Sequence, residues 1–98
     1  MAKKLNSSGV YHVAHILVSH RHEAEDVLKL LKDGKEFAEI AKRFSQCTSR
    51  SRGGDLGPLA KGKADPDFEE AALLIPAGEL SDRPIRTRFG YHIIKRLG

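Results

Sequence analysis

Two strand-like runs, one near each end of the chain, carry a histidine among apolar and β-branched neighbours, and they limit the fold more than any other feature. The C-terminal run follows Gly90 and covers residues 91–97. Side chains alternate along a strand, so His92, Ile94 and Arg96 share one face while Tyr91, Ile93 and Leu97 share the other. In the N-terminal run His15 lies with Tyr11, Val13 and Leu17, and His12 with Ala14, Ile16 and Val18. If the two runs lie side by side in one sheet, His15 and His92 become neighbours. Taken alone, either histidine reads first as a core side chain satisfied by a hydroxyl or a carbonyl.

A chain of 98 residues has room for one domain and one core. Residues 1–9 begin with basic side chains but lack an apolar h-region, so they read as a flexible lead, with the domain over 10–98. No run of about 18 apolar residues offers a membrane span. Cys47 is the single cysteine, which excludes an internal disulfide, and a cytoplasmic monomer is expected. The net charge of +4 comes from 17 basic and 13 acidic residues spread along the chain. Nucleic-acid binders concentrate such charge and add stacking aromatics, so Arg50, Arg52, Lys61, Lys63, Arg83, Arg86 and Arg88 read as a solvated face and no nucleic-acid partner is expected. His12 and His15 face opposite sides of a strand, and His20 and His22 have no cysteine near them in sequence. No ligand spacing results, and neither a metal nor a cofactor is expected.

Taken in order, residues 10–19 form a first strand whose apolar density on both faces suits a central position. Residues 19–22 are a loop, and Glu23 opens a helix with Ala24, Val27, Leu28, Leu30 and Leu31 on its stripe and Gly34 as its stop. A second helix over 36–44 carries Phe37, Ile40, Ala41 and Phe44 on one face. The polar stretch 45–54 is a loop that turns at Gly53-Gly54 into a short strand over 55–59, placed at an edge by Pro58. After a turn over 61–64, Asp65 caps a helix over 67–74, entered through Pro66 and presenting Phe68, Ala71, Ala72 and Ile75. Residues 80–81 and 85–87 are short extended pieces before the last strand. This order calls for a small α+β domain with a mostly antiparallel sheet of about four strands and about four helices.

Five signatures then occur in order: Ala14-His15-Ile16-Leu17-Val18, Gly53-Gly54-Asp55-Leu56-Gly57, Gly62 with Phe68 six residues on, Gly78-Glu79-Leu80-Ser81, and Thr87-Arg88-Phe89-Gly90-Tyr91-His92-Ile93-Ile94. Across residues 10–97 the chain resembles the parvulin family of peptidyl-prolyl cis/trans isomerases. The resemblance implies a half-barrel sheet wrapped by helices, with a substrate proline on the concave side. It implies His15 and His92 as the facing histidines, Cys47 as the polar active-site position and Thr87 as the hydroxyl bonded into the pair. It places Leu56, Leu59, Ala64, Phe68 and Phe89 in or near the proline pocket. Two pocket positions depart from the usual pattern, with Ala64 where many members have methionine and Leu59 where many have an aromatic, and one extra residue lies between Ser81 and Pro84.

The implied substrates are proline-containing peptides and unfolded proteins. The main alternative is a peptide-binding or chaperone module with little catalysis. Cys47 invites a covalent reading through its nucleophilic thiol, but a role in setting the polarity around the substrate carbonyl is favoured. The loop after the first strand offers only Arg21 between two histidines, so no requirement for a phosphorylated residue before proline is expected.

Overall fold

Period-two alternation in both terminal runs is resolved by laying them next to each other at the centre of one sheet. The structure, a computed structural model, describes residues 9–98, so the expected lead lies outside the described residues except for Gly9. Its elements are β1 (Val10–Val18), α1 (Arg21–Lys32), α2 (Phe37–Phe44), a 3-10 turn (Thr48–Arg52), β2 (Asp55–Ala60), α3 (Pro66–Leu74), β3 (Ile85–Thr87) and β4 (Gly90–Arg96). The four strands are antiparallel in the order β2-β1-β4-β3, which puts β1 inside and the proline-bearing β2 at an edge. Residues 78–81 run along the other half of β4, with Leu80 bridged to Lys95 and Ser81 N–H donating to the Ile94 carbonyl at 2.8 Å.

Each sheet face buries its own cluster. Ala14, Ile16, Val18 and Ile93 pack under α1 and α2 with Val27, Leu28, Phe37 and Ile40. Tyr11, Val13 and Ile94 pack under α3 with Phe68, Ala72 and Ile75. Arg96, on the same face as Ile94, donates through Nη1 to the carbonyls of Leu73 and Ile75, both at 3.1 Å. This satisfies the free carbonyls at the C-terminal end of α3 and fixes that helix over the sheet.

Three local expectations are corrected. α1 begins at Arg21 rather than Glu23, because the Glu23 carboxylate accepts the His20 N–H at 3.1 Å and so caps a helix that starts one residue after His20. The stretch 45–54 is not all loop: Thr48–Arg52 closes a 3-10 turn that lacks any apolar period to reveal it. Phe44, which the sequence period places on the apolar face of α2, is 41% exposed at the helix end, with the Arg43 guanidinium 5.3 Å from its ring centre.

Gly54 is a position where the residue type is tightly dictated. Its φ is +85°, and a Cβ there would meet the His15 carbonyl oxygen at 2.5 Å. The close approach has a use, since the His15 N–H donates to the Gly54 carbonyl at 2.9 Å. Gly54→Ala is therefore expected to cost about 2–3 kcal/mol, from left-handed backbone strain plus displacement of β1. Urea unfolding measures this, and a wild-type midpoint would refute it.

Candidate active site

β1 and β4 are in register with His15 opposite Ile94 and Leu17 opposite His92. The two histidines are therefore diagonal neighbours on one face, close enough for ring-to-ring contact. Their Nδ1 atoms lie 2.9 Å apart, the rings stack with centroids 5.1 Å apart, and each side chain is buried. The chain of bonds continues from His92 Nε2 to Thr87 Oγ1 at 2.7 Å, and the Phe89 N–H donates to the same hydroxyl at 3.1 Å.

Counting donors and acceptors orders the protons. Thr87 Oγ1 accepts from Phe89, so donating its own proton to His92 Nε2 satisfies the hydroxyl completely. His92 then carries its proton on Nδ1 and donates to His15 Nδ1, which leaves the His15 proton on Nε2. In the reverse order the Thr87 proton has no acceptor among the described residues. His15 Nε2 is itself buried with no hydrogen-bond partner among them, which makes it the open end of the relay.

Electrostatics keeps the pair neutral. Burial pushes His15 down to about 4, and the neighbouring His92 imidazole adds to the shift. Burial likewise lowers His92 to about 4, opposed by the carboxylate of Asp65. From sequence Asp65 reads only as a cap. It does cap α3, accepting the Asp67 N–H at 2.9 Å, but it also lies 3.6 Å from Arg88 Nε and acts on His92.

Phe68, 4% exposed, closes the apolar side of the site. Its ring meets His15 edge-on at 5.5 Å and His92 at 5.1 Å, so the imidazoles are held in a low-dielectric setting. Leu56, Leu59 and Ala64 are partly buried against the same cluster. Residues three apart on a regular strand point to opposite faces; here the register of β2 against β1 shifts around Gly57, whose φ is +72°, and both Leu56 and Leu59 pack against that cluster.

Phe89 is the most exposed of the expected pocket residues. Its side chain is 60% exposed beneath the Arg88 guanidinium, 5.0 Å away, and only its backbone N–H enters the relay. It sits in the tight turn between β3 and β4, beyond the regular alternation that turns Thr87 inward.

Cys47 precedes the 3-10 turn, half-buried and with a free thiol. β2 pairs with β1 only as far as Ala14, and the loop takes over that edge. Buried Ser45 Oγ accepts both the Leu17 N–H, at 3.1 Å, and the Cys47 N–H, at 3.3 Å, and Gln46 N–H donates to the Leu17 carbonyl at 2.7 Å. Cys47 is thus anchored beside the strand of His15, but its thiol makes no hydrogen bond to either imidazole among the described residues. Ser45, whose role gave no signal in the sequence, is the anchor. No group of three or more His, Cys, Asp or Glu side chains among the described residues is placed to hold a metal ion.

Comparison with known proteins agrees with this geometry. Residues 15–97 match the family described as Rotamase, PPIC-type PPIASE domain. The foldase protein PrsA of Bacillus subtilis is 47% identical over 89 residues, which cover 90% of this chain and 30% of PrsA. The chain therefore spans about a third of the length of the curated relatives it matches. The crystal structure of PrsA from Bacillus subtilis superposes with a TM-score of 0.88 at 41% identity, over 99% of this chain and 38% of that one. The solution structure of NmPin, the parvulin of Nitrosopumilus maritimus, gives 0.80 at 42% identity, over 92% of this chain and 97% of that one. The α+β architecture expected from the order of elements is the one these parvulins share. From the matched residues, which include His15, Phe68, Thr87 and His92, the chain belongs to the PPIC-type peptidyl-prolyl cis/trans isomerase family, the parvulins.

Proposed function

We propose that the chain accelerates rotation about X-Pro bonds in extended or unfolded polypeptides, and so assists their folding, by non-covalent stabilisation of the twisted amide. The observation that carries this reading is the neutral His15–His92–Thr87 relay enclosed by Phe68. Amide rotation faces a barrier of about 18–20 kcal/mol because resonance is lost on twisting. At the transition state the proline nitrogen becomes pyramidal and its lone pair accepts a hydrogen bond, while the carbonyl loses polarity. An apolar grip on the proline ring by Phe68, Leu56 and Leu59 favours that state, and the relay presents a polar edge without placing a charge in it. Each tenfold in rate needs only about 1.4 kcal/mol.

A covalent path through Cys47 needs a base in contact with the thiol, and neither imidazole is bonded to it among the described residues. Cys47→Asp is expected to retain most of the activity; complete loss in a folded variant would restore the nucleophilic reading. The guanidinium of Arg21 is engaged by Glu25 at 3.2 Å, which supports independence from phosphate before proline. The short side chain of Ala64, where many parvulins have methionine, favours the second reading of a peptide-binding module with weak catalysis. Work as a cytoplasmic monomer is part of the proposal, supported by the single unpaired thiol.

NMR exchange spectroscopy on X-Pro peptides, with X as Leu, Ala, Glu, Lys or phosphoserine, separates these readings. Accelerated exchange with shifts centred on His15, Cys47, Phe68 and His92 supports the isomerase. The same shifts without acceleration support the binding module, and a large preference for phosphoserine over glutamate removes the claim of phosphate independence.

A further inference from the structure

Glu69 follows Phe68 on α3, and its carboxylate gathers three parts of the pocket. Oε1 accepts the Tyr11 hydroxyl proton at 2.9 Å, and the two carboxylate oxygens take the Gly62 N–H at 3.0 and 3.1 Å. Tyr11 is 2% exposed, on the face of β1 that also carries Val13 and His15, and it stands opposite Leu59 of β2. Gly62 lies in the turn that leads from β2 to α3, two residues before Ala64. One side chain therefore joins the strand under the site, the turn at its rim and the helix that carries Phe68.

We propose that Glu69 is a positioning residue that sets the spacing between Phe68, Leu59 and Ala64, and thereby the affinity of the site for a proline-containing peptide. This rests on the isomerase reading above. Hydrogen bonds to a carboxylate are stronger than those between neutral groups, and these two span 58 and seven residues of sequence. Burial, together with the carboxylate itself, holds the Tyr11 phenol protonated well above its ordinary range, so it remains a donor. Glu69 makes no hydrogen bond to either histidine among the described residues, and the relay does not pass through it. Its loss is therefore expected in KM rather than in kcat.

The experiment measures kcat and KM for one X-Pro peptide with the wild type, Glu69→Ala, Glu69→Gln and Tyr11→Phe, with folding checked by circular dichroism. Glu69→Ala is expected to raise KM about tenfold, the size of one lost charge-assisted hydrogen bond, with kcat within about twofold. Glu69→Gln keeps an oxygen acceptor and is expected to restore most of the affinity. Tyr11→Phe keeps the ring, is the variant to rely on if Glu69→Ala does not fold, and is expected to raise KM by a smaller factor. Adding Tyr11→Phe to Glu69→Ala is expected to cost little more. An unchanged KM in folded Glu69→Ala, or in folded Tyr11→Phe where the alanine variant fails, overturns the proposal, as does a fall in kcat with KM unchanged. If the wild type itself gives no acceleration, the isomerase reading fails separately, and the Kd of the same peptide, from NMR titration, replaces KM: a tenfold weakening supports the positioning role and an unchanged Kd rejects it.

Discussion

Between pH 7.5 and pH 4.5 the folded chain is expected to lose at least about 3 kcal/mol of stability, with a fall in melting temperature of more than about 10 °C. The direction follows from the two buried imidazoles. Unfolded, each takes up a proton near pH 6.5; folded, burial holds each down to about 4. Between these values the unfolded state binds more protons, so stability rises with pH, is complete above about 6.5 and is lost as pH falls toward 4. A shift of this size at one histidine is worth about 3 kcal/mol, and the second adds to it. Asp55 is also held low, first by the Gly57 N–H and then by His12, but its contribution is lost only as pH falls through the carboxylate range, below most of this window. Thermal melts at half-unit steps test the expectation, with His92→Asn expected to give a shallower slope because one of the two groups is gone. Melting temperatures that stay level from pH 7.5 to 4.5 would show that the pair is accessible to protons, and the neutral relay would fall with that result.

That pair was also the most legible part of the site. Alternation fixed which face each histidine takes, and apolar density on both faces of β1 suited a central place in the sheet; that its neighbour there is β4 came only with the structure. The diagonal register that brings Nδ1 to Nδ1 was beyond sequence, because it depends on pairing across 77 residues. Helices were legible where an apolar period and a cap coincide, as at Asp65 and Pro66. The turn Thr48–Arg52 was not, since its serines and arginines present no period and are held by backbone bonds. Phe89 is placed near the pocket by the resemblance alone, and the exposure of its ring in the turn between β3 and β4 gives no signal in the sequence. Ser45 and Asp65 act through contacts with other elements, so their side chains read from sequence only as a loop serine and a cap.

Phe68→Ala is expected to have the largest effect of any single change in the pocket, on fold and function together. The ring is buried in the cluster of Tyr11, Val13, Ala72, Ile75 and Ile94, and removing a buried phenylalanine costs about 3–5 kcal/mol. Against a typical total of about 5–15 kcal/mol, the alanine variant is expected to be partly unfolded at 37 °C. The same ring supplies the edge contacts to His15 and His92, so its loss admits water to the relay and weakens the burial that keeps both imidazoles neutral. Phe68→Leu separates the two roles. Leucine fills much of the space, with an expected cost of about 1–2 kcal/mol, but lacks the flat edge that meets both imidazoles and the ring face that the proposed function sets against a proline. It is expected to remain folded while kcat/KM falls more than about tenfold, equivalent to about 1.4 kcal/mol of transition-state stabilisation. NMR titration of the histidines in the same variant reads the second effect: both are expected to move from about 4 toward the ordinary imidazole value. A folded Phe68→Leu protein with wild-type kcat/KM would mean that Phe68 is core alone, and the grip on proline would have to be assigned to Leu56 and Leu59.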